Sequence, residues 1–212
     1  SGPSSQGYGV SHYDYETTSQ HHSAGRHCYR IANSLLEADC VINLPKWKTH
    51  VKTGITGALK NFIGVNCDKA YLPHFRPGSP RQGGDEFPQT RSGFHFAQVR
   101  RLVESCLPTP WLRGLRQMML KPGRPVANSL VFGGSWPGND TLWRTVHDIV
   151  FLARWAGPQG NWRPAPRPIL SILDAVIAGQ GDGPLRPEPF PMGCLLMGAD
   201  PGMVDIFAAA LS

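Results

Sequence analysis

Between Cys40 and Cys67 the chain carries Lys46, Lys48, His50, Lys52 and Lys60, and no acidic residue lies among them. Lysines this close repel one another unless an anion or carboxylates from elsewhere neutralise them. The stretch Asn43–Gly64, NLPKWKTHVKTGITGALKNFIG, therefore reads as a basic loop running into a helix and holding a small anionic ligand. In this reading Thr53 caps the helix, Gly54–Ile63 is its body and Gly64 stops it. Its first N–H groups, at Gly54–Gly57, would face the ligand where glycine permits close approach. Lys46, Lys48, Gly54, Gly57 and Asn61 are the candidate anion-binding residues. His50, Lys60 and the more distant His74 are the candidate catalytic ones. Imidazoles move protons, and a lysine in a dry site beside other cations has the lowered pKa that an amine nucleophile needs. A solvated basic turn would account for the lysines adequately, but it leaves the polar pair Lys60–Asn61 in ALKNFIG unexplained.

Three carboxylates could balance this charge. Asp174 follows the apolar run PILSIL, which puts it at the C-terminal end of a strand, where open α/β sheets place ligands. Asp182 lies in GQGDGPL, read as a flexible loop, and Asp205 opens the last helix. Asp174 and Asp182 are candidates for charge balance or for a divalent metal. Carboxylates alone suit Mg²⁺ better than nickel or zinc. Each has a plainer role as turn former, loop polar group or first-turn acid. GITGALKN is not a GxxxxGK[ST] loop and no GxGxxG follows a strand, so neither nucleotide fingerprint is present. His21–His22 reads as metal ligand or polar tail, His95 and His147 as packed helix residues, and Trp136 as substrate platform or loop aromatic.

The positioning elements come from periodicity. Ile31, Leu35 and Leu36 mark a short helix, and Cys40–Leu44 a buried strand stopped by Pro45. Residues 66–93 form a long Pro/Gly/Arg-rich loop, expected to be mobile and to shield the site. Helices follow at 96–106 and 110–120, then a strand at 128–132. Asn139 or Asp140 caps an amphipathic helix over Leu142, Val146, Ile149 and Ala153, ended by Gly157. Strands at Ile169–Leu173 and Cys194–Met197 precede the last helix. This alternation predicts an α/β fold, a layered and largely parallel sheet flanked by helices, with long Gly/Pro-rich loops.

The chain has 212 residues, 41% of them hydrophobic, enough for one α/β domain over 28–212 behind a polar, poorly ordered or wrapping segment at 1–27. Its 24 glycines and 20 prolines punctuate apolar runs and do not form tracts. Net charge is +6, yet the arginines are scattered and lack interleaved aromatics, which argues against nucleic acid. The five cysteines form no CxxC, so no iron–sulfur cluster is encoded, and they read as free thiols of a cytoplasmic protein. No apolar run reaches the length of a membrane span.

NLPKWKTH with TGITGALKNFIG, GGSWPGNDTLWRTVHDI, LDAVIAGQGDGPL and the closing GADPGMVDIFAA occur in order across residues 38–211. Together they resemble the domain-of-unknown-function family 362. That resemblance implies association with ferredoxin-like iron–sulfur modules, hence a redox partner, although the ferredoxin cysteines are absent here. The N-terminal strand region of the family is also missing or replaced, so the chain reads as a fragment. His50, Lys60 and His74 are further similar in spacing to the N-terminal domain of lactate racemases, where such a lysine anchors a nickel cofactor. The expectation is an enzyme acting on a small anionic or carboxylate-bearing substrate, with isomerase-like or oxidoreductase-associated chemistry. The alternative is a non-catalytic anion-binding or redox-partner module.

Overall fold

A computed structural model describes residues 7–10, 15–23, 25–90, 93, 95, 98, 102 and 133–211. The helices expected at 96–106 and 110–120 and the strand at 128–132 fall almost wholly outside the described residues. Contacts divide the chain into two compact units, one of Ser1–Cys28 with Asp68–Leu142 and one of Tyr29–Cys67 with Trp143–Ser212.

In the first unit, helix α1 (Tyr15–His21) leads into a hairpin of β1 (His22–Ser23) and β2 (Arg26–His27). The stretch 68–90 is bound together internally. Two short 3₁₀ turns, Lys69–Tyr71 and Pro80–Gln82, carry a side-chain cap at Asp68 and a capping box between Ser79 and Gln82. Gly9 bridges to Phe75. The buried Asp85 carboxylate accepts from the Asp140 N–H at 2.8 Å and the Thr141 hydroxyl at 2.6 Å. A long loop can be this well pinned because side chains replace the missing ladder of backbone bonds.

The second unit holds α2 (Asn33–Glu37), β3 (Val41–Asn43), β4 (Lys46–His50), β5 (Gly54–Thr56) and α3 (Ala58–Asn61). It continues with α4 (Leu142–Trp155), β6 (Ile169–Asp182), β7 (Arg186–Gly198) and α5 (Pro201–Leu211). β3 and β4 both run parallel to β6, while β5 and β7 add antiparallel neighbours to β4 and β6. The α/β class is as the sequence predicts. One register offset holds from Val41↔Ile169 through Lys46↔Asp174, so β3 and β4 form one line along β6. Pro45, which has no N–H to give the ladder, breaks that line, and its carbonyl still accepts from Asp174 N–H at 2.9 Å.

On β6, Ile169, Ser171, Leu173 and Ala175 are buried at period two. Leu173 and Ala175 pack with Trp47, Ala58, Ala178, Val204 and Ala208 into the core between sheet and helices. Several boundaries differ from those expected. CVINL is not uniformly buried: Asn43 faces inward and Ile42 is 64% exposed. Ile169 through Asp182 is one strand, since β7 pairs with it along nearly its whole length, so Asp174 lies in mid-strand and not at an end. Asp182 closes β6 opposite Arg186 and is not a loop residue. The expected helix Gly54–Ile63 is instead β5, α3 and a 3₁₀ turn at Phe62–Val65. Gly54 turns left-handed at φ 77°, closing the β4–β5 hairpin, and β-branched Ile55 and Thr56 then pair with Thr49 and Lys48.

Arg167, 1% exposed, ties the helical layer together. Its guanidinium donates to the carbonyls of Leu36, Ala38, Ala153 and Ala156, at the C-terminal ends of α2 and α4. A cation there satisfies orphan carbonyls and meets both helix dipoles. Arg167→Met should cost on the order of 3 kcal/mol or more, because buried carbonyls are left without donors. Chemical denaturation checks this; a loss within 0.5 kcal/mol, roughly that of an uncoupled surface change, would refute it.

Candidate functional site

In the second unit, register sets the lysines of β4 between β5 and β6. Lys48 pairs with Thr56 on one side and Gly179 on the other, and His50 pairs with Gly54. A side chain at Gly179 would meet the Lys48 Cβ at 2.9 Å, so glycine there lets Lys48 lie close against β6. Lys60 sits in the last turn of α3, which begins two residues after β5.

His50 is buried, and its Nδ1 accepts from the Lys52 N–H at 3.1 Å. With Nδ1 accepting, the neutral ring carries its proton on Nε2. Burial, then the charges of Lys60, Lys52 and Lys48, lower its pKa from 6.5 to about 3. Burial, and then Lys48, also draw Lys60 below the ordinary lysine value. The charges acting on both groups are positive. Lys48, His50, Lys52 and Lys60 thus form one electrostatic cluster.

Lys46 stands apart. Its Nζ meets Asp174 Oδ2 at 2.8 Å with both side chains about half exposed, at 46% and 47%. The Lys46 hydrogen bond, with the Val176 N–H, holds the Asp174 carboxyl below its usual range. Thr49 Oγ1 donates to Gly181 O at 2.9 Å, which brings the end of β6, and Asp182 beside it, alongside β4.

Asp205, in the second turn of α5, is the carboxylate that sequence reasoning undervalued. Its two oxygens accept the N–H groups of Ala58 at 2.6 Å and Leu59 at 2.9 Å, so the first turn of α3 is already filled by the chain's own anion. Burial pushes the Asp205 carboxyl up, and those two N–H donors oppose the shift. A Cβ at Gly57 would stand 2.1 Å from Asp205 Oδ1, so this glycine serves an internal carboxylate. Gly54 serves the hairpin. Asn61 is also structural. Its Nδ2 donates to Asn43 Oδ1 at 2.7 Å, and Asn43 in turn donates to Ala58 O and Ser171 Oγ. The expected glycine cradle is therefore corrected to an aspartate cap with a buried amide network. A polar Asn inside the apolar strand CVINL was the available signal for that network.

His74 lies in the first unit, its Nδ1 donating to Leu72 O at 2.6 Å and its backbone held by Gly9 and Asn139. His21 stacks on Tyr71 there, and His22 Nδ1 faces His27 Nδ1 at 3.1 Å in a hydrogen-bonded pair. Among the described residues, no three His, Cys, Asp or Glu side chains converge as a metal site, and no helix is long and apolar enough to cross a membrane. A cavity of about 350 Å³ opens between β7 and α5, lined by Leu196, Met197, Met203 and Phe207. It is apolar and takes in no lysine or histidine.

Two outcomes follow. Asp205→Ala should destabilise the chain by about 2–3 kcal/mol by orphaning two N–H groups, and acetate should restore part of the loss. Thermal melts with and without acetate test this. Secondly, His50 is neutral when folded but takes a proton below pH 6.5 when unfolded. Stability should therefore fall as pH drops from 6.5 towards 3, by up to about 4 kcal/mol from this group. His50→Asn should flatten that part of the pH–stability curve, and an unchanged slope would contradict it.

The sequence profile of a family described as a domain of unknown function (DUF362) matches residues 3–210. No curated protein and no solved structure matches the chain. The chain belongs to the DUF362 family.

Proposed function

We propose that the chain is an enzyme acting on a small anionic, carboxylate-bearing molecule held at Lys48, Lys52, Lys60 and His50. The observation that carries this reading is a cluster of cations whose mutual influences on His50 and Lys60 are all repulsive. Like charges assembled at one place weaken the fold, and such conflict is expected where a ligand resolves it. A bound carboxylate would relieve it. Within the cluster the roles divide by chemistry. Lys48 and Lys52 supply fixed charge. His50, neutral and protonated on Nε2, is a hydrogen-bond donor to a ligand oxygen and not a base. Lys60, with its lowered pKa, is the amine able to take a proton or attack a carbon. Lys46 is paired with Asp174 and lies outside this group.

Oxalate and acetate titrations followed by calorimetry test the reading. Lys48→Ala and Lys60→Ala should each weaken oxalate binding at least tenfold, or about 1.4 kcal/mol, while Lys46→Ala changes it little. Lys60→Ala should leave stability unchanged or raise it, because repulsion with Lys48 is relieved. Unchanged oxalate affinity in both the Lys48 and Lys60 variants would move the site elsewhere. Binding without turnover of any carboxylate would leave a binding module.

A further inference from the structure

We infer that β7 and α5 form a self-association surface, on which a second copy of this chain docks by antiparallel pairing of the two β7 edges. The strand is divided along its length. β6 runs along one side of β7, and among the described residues no other strand pairs with it. Asp174 N–H donates to Pro45 O, on the side of β6 away from β7. Asp174 and Leu195 therefore stand opposite each other without exchanging hydrogen bonds, and the Leu195 N–H and C=O point outward from the sheet. Alternation gives Gly193 and Met197 the same direction. In the other half of β7 the residues at that spacing are Pro187, Pro189 and Pro191, which have no N–H. Proline at every second position blunts an edge against foreign strands. The blunting stops at Pro191, and residues 193–197 are left able to pair.

Both faces of the sheet are apolar beside this open edge. Leu195 and Met197 project from one face, opposite in sense to Cys194 and Leu196, which pack against the core. On the other face α5 buries Val204 and Ala208 and presents Met203, Phe207 and Leu211 at four-residue spacing along the apolar cavity. Leu195, Met197, Met203, Phe207 and Leu211 are each between 50% and 68% exposed. Five such residues hold on the order of 600 Å² per copy, and the strand edge and cavity rim bring this close to the roughly 800 Å² that each partner of a standard interface buries. A helix apolar on nearly every side belongs in an interior. The net charge of +6 opposes contact between two copies in general, yet residues 192–211 contain no lysine or arginine. Their two acids are engaged within the chain, Asp205 by Ala58 and Leu59 and Asp200 by the Gly202 and Met203 N–H groups and Arg154. Antiparallel strands and antiparallel helices each fit themselves about a two-fold axis, so one patch completes the contact.

Sedimentation equilibrium of the intact chain at about 50 μM, within reach of the weaker standard-size interfaces, should give twice the monomer mass of 23.2 kDa. Amide exchange at Leu195 and Met197 should slow at least tenfold between dilute and concentrated protein, while the inward Leu196 amide is indifferent to concentration. Leu195→Pro continues the proline pattern, removes an outward N–H and no bond to β6, and should weaken the dimer at least tenfold. Phe207→Glu, which leaves the strand untouched, should do the same by setting two carboxylates against each other at the axis, and it carries the test if Leu195→Pro loses its native circular dichroism. A monomer with rapidly exchanging Leu195 and Met197 amides would overturn the second copy in favour of a different protein on this surface. A monomer with protected amides would overturn it in favour of another segment of the same chain. A dimer that survives in a folded variant would place the contact elsewhere and overturn it equally.

Discussion

The carboxylate of Asp205 at the first turn of α3 is the contact on which the second unit depends. A four-residue helix cannot persist on its own backbone bonds, because nucleation costs more than one turn returns. Two short hydrogen bonds to Ala58 and Leu59 supply what the helix lacks and couple α3 to α5 across 146 and 147 residues of sequence. Gly57 is then obligatory, since any side chain would displace the carboxylate. The amides of Asn43 and Asn61, with the Ser171 hydroxyl, brace the same helix from the sheet side. Lys60 is held between these two braces, which is how a basic residue on a short helix acquires a fixed place.

Two carboxylates of this unit are likewise engaged away from Lys48 and Lys60. Asp205 is committed to backbone N–H groups, and Asp174 to Lys46 and the Val176 N–H. Lys46 and Lys48 are two residues apart on β4, yet one is half exposed and paired while the other acts on a buried histidine. An exposed ion pair of the first kind contributes little, about 0–1 kcal/mol. Repulsion around a buried imidazole is screened less by solvent and salt. The fold therefore separates, along a single strand, a half-exposed paired lysine from one that acts on a buried imidazole.

Much of this was legible in the sequence, and the parts that were not share a cause. The α/β class, α4 with its Asn139 cap, and the concentration of lysines in 46–60 follow from local pattern: buried spacing, a capping residue, and a stretch of sequence with no acidic residue. The β5–α3 break is hidden because Gly54 and Gly57, three positions apart, read as permissive helix positions, whereas long-range pairing with β4 turns Gly54–Thr56 into strand. Asp174 and Asp182 were read as a strand end and a loop because Gly179, Gly181 and Gly183 look like punctuation. In the structure Gly179 admits Lys48, and a side chain at Gly183 would strike Thr49 O at 2.0 Å. Asp205 and Arg167 were opaque for the same reason, since each satisfies backbone groups more than 10 residues away, and no local signal encodes such a partner.

A lysine's reactivity depends on what its neighbours have already been given. The helix N–H groups that would otherwise compete for an anion are filled by Asp205, and Asp174 on β6 is engaged by Lys46. Under the proposed reading, a carboxylate would meet side-chain ammonium groups and one neutral imidazole donor, not a backbone nest. Ammonium groups on flexible stems adapt to ligand position but do not dictate geometry, whereas the Nε2–H of a buried ring points one way. In that reading, binding is set broadly by the ammonium groups and orientation by His50.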